Sequence, residues 1–201
     1  MSTGRLEAFS DGVLAIIITV MVLELKLPTG PHLHDLWQDS RYGLLTYVLS
    51  FVYIGIYWNN HHHMFQIVDY VDGSVLWANL HLLFWLSLYP FTTAWLDDFH
   101  VARTPTVVYG VNLLGAALAY YVLQLRMMRL PVAGPRLRDV VGRDLKGKLS
   151  PVIYVVGIAL AFVEPWLGLV PFVVVALMWL VPDRRVERYL AVHREIGPDP
   201  G

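Results

Sequence analysis

Four polar residues, Arg5, Glu7, Ser10 and Asp11, stand directly in front of an apolar run over residues 13–23 whose one polar side chain is Thr19. A second group, Trp58, Asn59, Asn60 and three consecutive histidines at 61–63, closes a later apolar stretch, and Asn79 and His81 interrupt a third. A carboxylate and an imidazole at the edge of an apolar layer can relay a proton or hold two helices together, because neither is left there without a partner. Metal binding is the weaker reading. Successive side chains on a helix point about 100° apart, so His61, His62 and His63 cannot all reach one ion. His32 and His34, in the polar stretch after Pro28, read as solvated.

The rest of the inventory excludes more than it offers. There is no cysteine among the 201 residues, which removes disulfides, thiolate catalysis and cysteine metal sites. Walker loop, G-x-G-x-x-G, G-x-S-x-G and H-E-x-x-H are all missing, as is a second carboxylate within an apolar run, which argues against an enzyme. A formal charge of −1 gives no basis for nucleic-acid binding. With 56% hydrophobic residues, 15% charged and a mean hydropathy of +0.52, the composition is that of a membrane protein, and seven tryptophans suit interfacial belts.

The elements that must position these groups are apolar helices. A helix over 12–27, stopped by Pro28, would be about 24 Å long, and continuing it back through the polar head would carry it across a hydrocarbon layer of about 30 Å. Gly12, Ile16, Thr19 and Leu23 then fall within a wedge of about 60°, one stripe that would face a partner or a pore. Further spans are expected over 41–58, 74–96 (with Pro90 tolerated inside it), 104–125, 149–163 and 167–181, the last two as a hairpin around Glu164, Pro165 and Trp166. Gly110, Asn112, Gly115, Ala116 and Ala117 offer small residues for close helix approach. Residues 126–148 read as a long basic loop and 182–201 as a polar tail. With six spans and the N-terminus inside, twelve of the fifteen Lys and Arg residues are cytoplasmic, so both termini are expected there. A polybasic loop can also attract acidic headgroups, but the positive-inside bias is the more economical account of it. Glu24, Asp35, Asp39, Asp97, Asp98 and Glu164 are left outside, a field that attracts cations.

The pattern R-x-x-x-F-S-D, here Arg5, Phe9, Ser10 and Asp11 running into the apolar helix, resembles the transmembrane-protein-175 family of potassium channels. Trp58 with His61 and His62, then Asn79-Leu80 and Pro90-Phe91-Thr92, resemble later landmarks of that family. The resemblance implies an all-α integral membrane protein forming one domain over 1–201, with six transmembrane helices and cytoplasmic termini in the cell membrane. It implies a homotetramer whose first helices line a central pore, with potassium as the permeant ion, no cofactor, and only the bilayer, monovalent cations and other copies of the chain as partners. The carbonyl filter TVGYG is absent, so selection would fall to Ile16 as apolar constriction, Thr19 as hydroxyl layer and Leu23 as a further apolar ring. Arg5, Phe9, Ser10, Asp11, Trp58, His61, His62 and Asn79 would form a structural network off the ion path.

Three other readings compete. Asp11 could be a helix N-cap, although an acid at the hydrocarbon edge is expected to find a partner, with His61 and His62 at the same level. A proton-coupled transporter could use Asp11 with His61 or His62 as a relay, although the halves of the chain show no repeat. A secretory signal peptide fits poorly, since Asp11 abuts the apolar core, Glu24 and Lys26 follow it, and no A-x-A site is present.

Overall fold

The polar head and the apolar run form one helix, α1 (Thr3–Leu23), whose 21 residues make about 31 Å of rise. Its buried side chains, Leu6, Ser10, Leu14, Ile17 and Met21, step by three or four and so form a single face. The helix starts earlier and ends sooner than a 12–27 reading expects. It unwinds at Glu24 and Leu25, four residues before Pro28, and with the first turn well upstream Asp11 is a mid-helix residue rather than an N-cap. The computed structural model describes residues 3–180, apart from 69 and 143 and the side chains of 140 and 141. The basic tail, with Arg184, Arg185, Arg188 and Arg194, lies outside the described residues, as does Arg143.

α2 (Leu33–Gln66) is 34 residues long, far beyond the span expected over 41–58. It begins early because the Asp35 carboxylate accepts the His32 backbone N–H at 2.9 Å, satisfying a donor that would otherwise be orphaned at the helix start. The preceding turn is fastened to it: Asp39 accepts from the Thr29 backbone N–H at 2.8 Å and hydroxyl at 2.7 Å, and the Ser40 hydroxyl donates to the Lys26 carbonyl at 2.8 Å. At its far end the helix runs through all three histidines.

The third expected span is two helices, α3 (Gly73–Ser87) and α4 (Tyr89–Asp98). Pro90 supplies no N–H to the ladder, and Leu88 closes a tighter turn onto the Trp85 carbonyl, so the break falls at Leu88. A turn in which His100 and Val101 take positive φ, 50° and 63°, leads to α5 (Arg103–Met127). That conformation is disfavoured for a β-branched residue, and it is held by the Val101 N–H bonding the Leu96 carbonyl at 2.9 Å. The stretch expected as a loop contains α6 (Ala133–Val141); α7 (Leu145–Val163) and α8 (Pro165–Leu180) then form the expected hairpin. They meet at Gly168, where an added Cβ would lie 2.6 Å from the Ala161 Cβ and 2.9 Å from its Cα.

Side-chain pairings fix the directions. Glu7 meets His62, Ser10 meets Asn79, Ser50 meets Tyr109, and Ser150 meets Trp179, so α1, α3–α4 and α7 run one way and α2, α5 and α8 return. One end of the bundle gathers the head of α1, the histidines of α2, α6 and the start of α7. The other holds the Lys26–Asp98 ion pair at 2.8 Å and Tyr42 packed on Trp166. Between them the interior is aromatic: Tyr53, Tyr89, Tyr109, Tyr154 and Phe172 lie with neighbouring ring centroids 6.1 to 6.3 Å apart. Their hydroxyls are largely accommodated inside the bundle, where Ser50 bonds both Thr93 and Tyr109 and the Tyr53 O–H donates to the Phe172 carbonyl. Every helix among the described residues is α-helical. By length and apolarity α1, α5 and α7 can each cross a membrane, and α8 is apolar over its 16 described residues.

Candidate functional site

Of the two sides of α1, one packs against the rest of the chain and the other is open. Leu14, Ile17 and Met21 pack against α2, α3 and α4, whereas Ile16 is 64% exposed and Leu23 80%, with Gly12 and Thr19 exposed between and beside them. The four stripe residues therefore share the open face. The Thr19 hydroxyl donates to the Ile16 carbonyl at 2.8 Å, which fixes its proton in the helix and leaves oxygen lone pairs free on the exposed side. An open groove flanks this face, lined by Ile16 and Val20 of α1, by Glu24 just past its end and by Phe91, Trp95 and Asp98 of α4. Among the described residues Glu24 has no ion pair, while Asp98 is bound to Lys26. The hydrogen bond that the Lys26 ammonium donates to Asp98 holds it above its ordinary pKa, and the bonds that the Thr29 backbone and hydroxyl donate hold Asp39 below the usual carboxylate range.

Behind the open face a chain of hydrogen bonds crosses three helices. His61 Nε2 lies 2.8 Å from Asn79 Oδ1, Asn79 Nδ2 donates to Ser10 Oγ at 3.0 Å, and the Ser10 hydroxyl donates to the Leu6 carbonyl at 2.9 Å. Because the Asn79 nitrogen faces Ser10, its oxygen is the acceptor for His61, which carries its proton on Nε2. All three side chains are buried, and the His61 ring stacks on Phe65 at 4.3 Å. A bridge of this kind fixes the rotation of α1 about its own axis, and so determines which residues the open face presents.

A second set of contacts lies nearer the surface. Trp58 Nε1 donates to Asp11 Oδ1 at 3.0 Å, His62 Nδ1 is 2.5 Å from Glu7 Oε1, and Gln66 Nε2 is 2.7 Å from His62 Nε2. Asp11 thus bonds Trp58 instead of His61 or His62. The antiparallel register of α1 and α2 explains why: position 58 is opposite 11 and position 62, one turn on, opposite 7, while His61 points about 100° away into α3. Sequence reading missed Glu7 and Gln66 as partners. The equal spacing of 7 to 11 and of 58 to 62 was the available signal, but it acquires meaning only once the two helices are paired. Arg5 and Phe9 are exposed and stand outside this network. Among the described residues no group of three metal-ligating side chains converges.

A family model described as "Endosomal/lysosomal potassium channel TMEM175" matches residues 5–90, the part of the chain that holds the open face and both sets of contacts. A potassium channel of Chryseobacterium sp. (strain P1-3) is 50% identical over 190 residues, covering 94% of this chain and 98% of its own. The chain belongs to the TMEM175 family. A potassium channel of Streptomyces collinus is 33% identical across 88% of this TMEM175 chain and 91% of its own. The crystal structure of a lysosomal potassium-selective channel TMEM175 homolog from Chamaesiphon minutus superposes with a TM-score of 0.76 at 30% identity, over 89% of this chain and 96% of that one. The family is one of membrane channels and not of enzymes, in keeping with the missing catalytic motifs.

Proposed function

We propose that this TMEM175 protein is a potassium channel of the bacterial plasma membrane, a homotetramer in which four α1 helices surround the ion path. Each subunit crosses the membrane six times, with both termini and the α6 end cytoplasmic. The observation that carries the reading is the open face of α1: a helix long enough to span turns Ile16, Thr19 and Leu23 away from its own subunit, while a buried bridge to His61 holds it in that rotation. The potassium channels among its relatives, similar along nearly their whole length, support the choice of ion.

The mechanism needs no carbonyl filter. A ring of four isoleucines offers no oxygen to replace a hydration shell, so it dewets and blocks when narrow and conducts when it widens enough to admit water. Thr19 lies one turn outward, and because its proton is given to the Ile16 carbonyl, it presents a ring of acceptor oxygens to a partly dehydrated cation. Potassium sheds water more readily than sodium, so such a path prefers potassium modestly. Leu23 adds a further apolar ring, and Glu24, beyond it and without an ion pair among the described residues, raises the local cation concentration at the outer mouth. Asp11 serves assembly of the α1–α2 pair, not permeation.

The deciding experiment is current and reversal potential of purified protein in a bilayer with potassium on one side and sodium on the other. Single-channel currents with a potassium-favouring reversal potential are expected. Flux at transporter rates with no unitary current would reject the channel in favour of coupled transport.

A further inference from the structure

We propose that the end of the bundle carrying α6 is a docking surface for anionic phospholipid headgroups. The positive-inside bias explains why bases collect on one side, but it asks nothing of their arrangement, and here they are arranged. Leu130, Ala133 and Leu137 are buried and pin the segment against the bundle, which leaves Arg136 and Arg138 exposed at the same end as the exposed Arg126, Arg129 and Lys148. No carboxylate lies within ion-pair distance of these five bases among the described residues. Of the acids at this end, Asp72 accepts from the Val75 N–H and the Ser74 hydroxyl and faces Arg126 at longer range, Asp144 accepts from the Gly147 N–H, and Asp139 is exposed on α6, so the five bases outnumber the acids beside them.

The second observation is what lies beside the arginines. Val132 is 72% exposed and Leu145 71%, and Leu149 is also exposed one turn further along α7. These apolar side chains sit where α5 and α7, both apolar enough to cross a membrane, emerge from it. A rim that mixes open apolar side chains with guanidinium groups that make no direct ion pair among the described residues matches the boundary between acyl chains and phosphates, where arginine forms paired hydrogen bonds to phosphate oxygens. The occupant is a lipid and not free phosphate, because a free anion would make no use of the apolar rim. The inference rests on the membrane topology given under the proposed function.

The test is native mass spectrometry of the detergent-purified protein titrated with phosphatidylglycerol or with phosphatidylcholine of the same acyl chains. Wild type is expected to retain phosphatidylglycerol preferentially, the preference falling as salt rises and by about fivefold for each arginine removed in Arg136→Gln/Arg138→Gln and Arg126→Gln/Arg129→Gln. Lys26→Gln, at the opposite end, is expected to leave it unchanged. Equal retention of the two lipids by wild type, or an undiminished preference in the fourfold arginine variant, overturns the proposal. Full competition by millimolar inorganic phosphate also overturns it, by showing a soluble-anion site. Reconstituted currents separate the two readings: conducting protein without lipid preference removes the docking surface alone, whereas lipid preference without conduction removes the channel and leaves the surface standing.

Discussion

Ile16 and Ile17 are chemically identical neighbours on α1 with opposite situations, Ile16 64% exposed and Ile17 only 4%. A polar substitution therefore separates a role in permeation from a role in packing. Ile16→Asn is expected to wet the constriction, raise conductance and lower discrimination between potassium and sodium, with normal yield of tetramer. Ile17→Asn buries an amide with no partner at a cost of about 1 to 3 kcal/mol and is expected to reduce folded protein without changing the selectivity of what survives. Size-exclusion profiles and bilayer reversal potentials decide both. If the pair behave alike, α1 does not line the path.

Thr19 gives its proton to the Ile16 carbonyl, so its contribution to an ion is an oxygen acceptor. Thr19→Ala and Thr19→Val are expected to shift the reversal potential towards equal potassium and sodium permeability, and Thr19→Ser to restore most of the preference. A full potassium preference in Thr19→Val would assign selection elsewhere.

Asn79 is fully buried between His61 and Ser10, whereas the Asp11–Trp58 bond is exposed. Asn79→Ala leaves the buried His61 Nε2–H without an acceptor, while Ser10 keeps its bond to the Leu6 carbonyl, and is expected to cost about 1 to 3 kcal/mol. Asp11→Ala, near the surface, is expected to cost about 1 kcal/mol or less. Thermal unfolding followed by size exclusion in detergent ranks the two variants. The reverse order would mean that the surface contact, and not the buried bridge, holds α1 in place.

Gly168 meets the backbone of Ala161 so closely that an added methyl would lie 2.9 Å from Cα and 3.0 Å from N. Backbone atoms cannot step aside as a flexible side chain can, so Gly168→Val is expected to separate α7 from α8 and sharply lower the yield of folded protein. Gly55→Ala, where an added Cβ meets nothing within 4 Å, is the matching control. Equal yields would show that the hairpin does not depend on this approach.

Cysteines at Asp35 and Arg136 lie at opposite ends of the bundle, so each should react with an impermeant reagent from one side only. Labelling of Asp35→Cys from outside and of Arg136→Cys from inside is expected. Labelling of both from the same side would reject the six-span topology.

The sequence by itself determined the class of the protein and the two sides of α1. An all-apolar run with one threonine can only be a helix in this composition, and helical angle alone places Gly12, Ile16, Thr19 and Leu23 together. What it could not determine was partnership. Whether Asp11 or Glu7 meets His62 depends on the register between α1 and α2, which is set by packing residues far apart in the chain; a polar residue's type says that it needs a partner, not which one. The same holds for extent. α2 reaches back to Leu33 because Asp35 satisfies the helix start, and the stretch after Met127 folds into α6 because Leu130, Ala133 and Leu137 find the bundle to pack against. Periodicity is a local property carried by neighbours in sequence, so it is legible in advance. Register, capping and the docking of a short helix depend on surfaces that exist only after the rest of the chain has assembled.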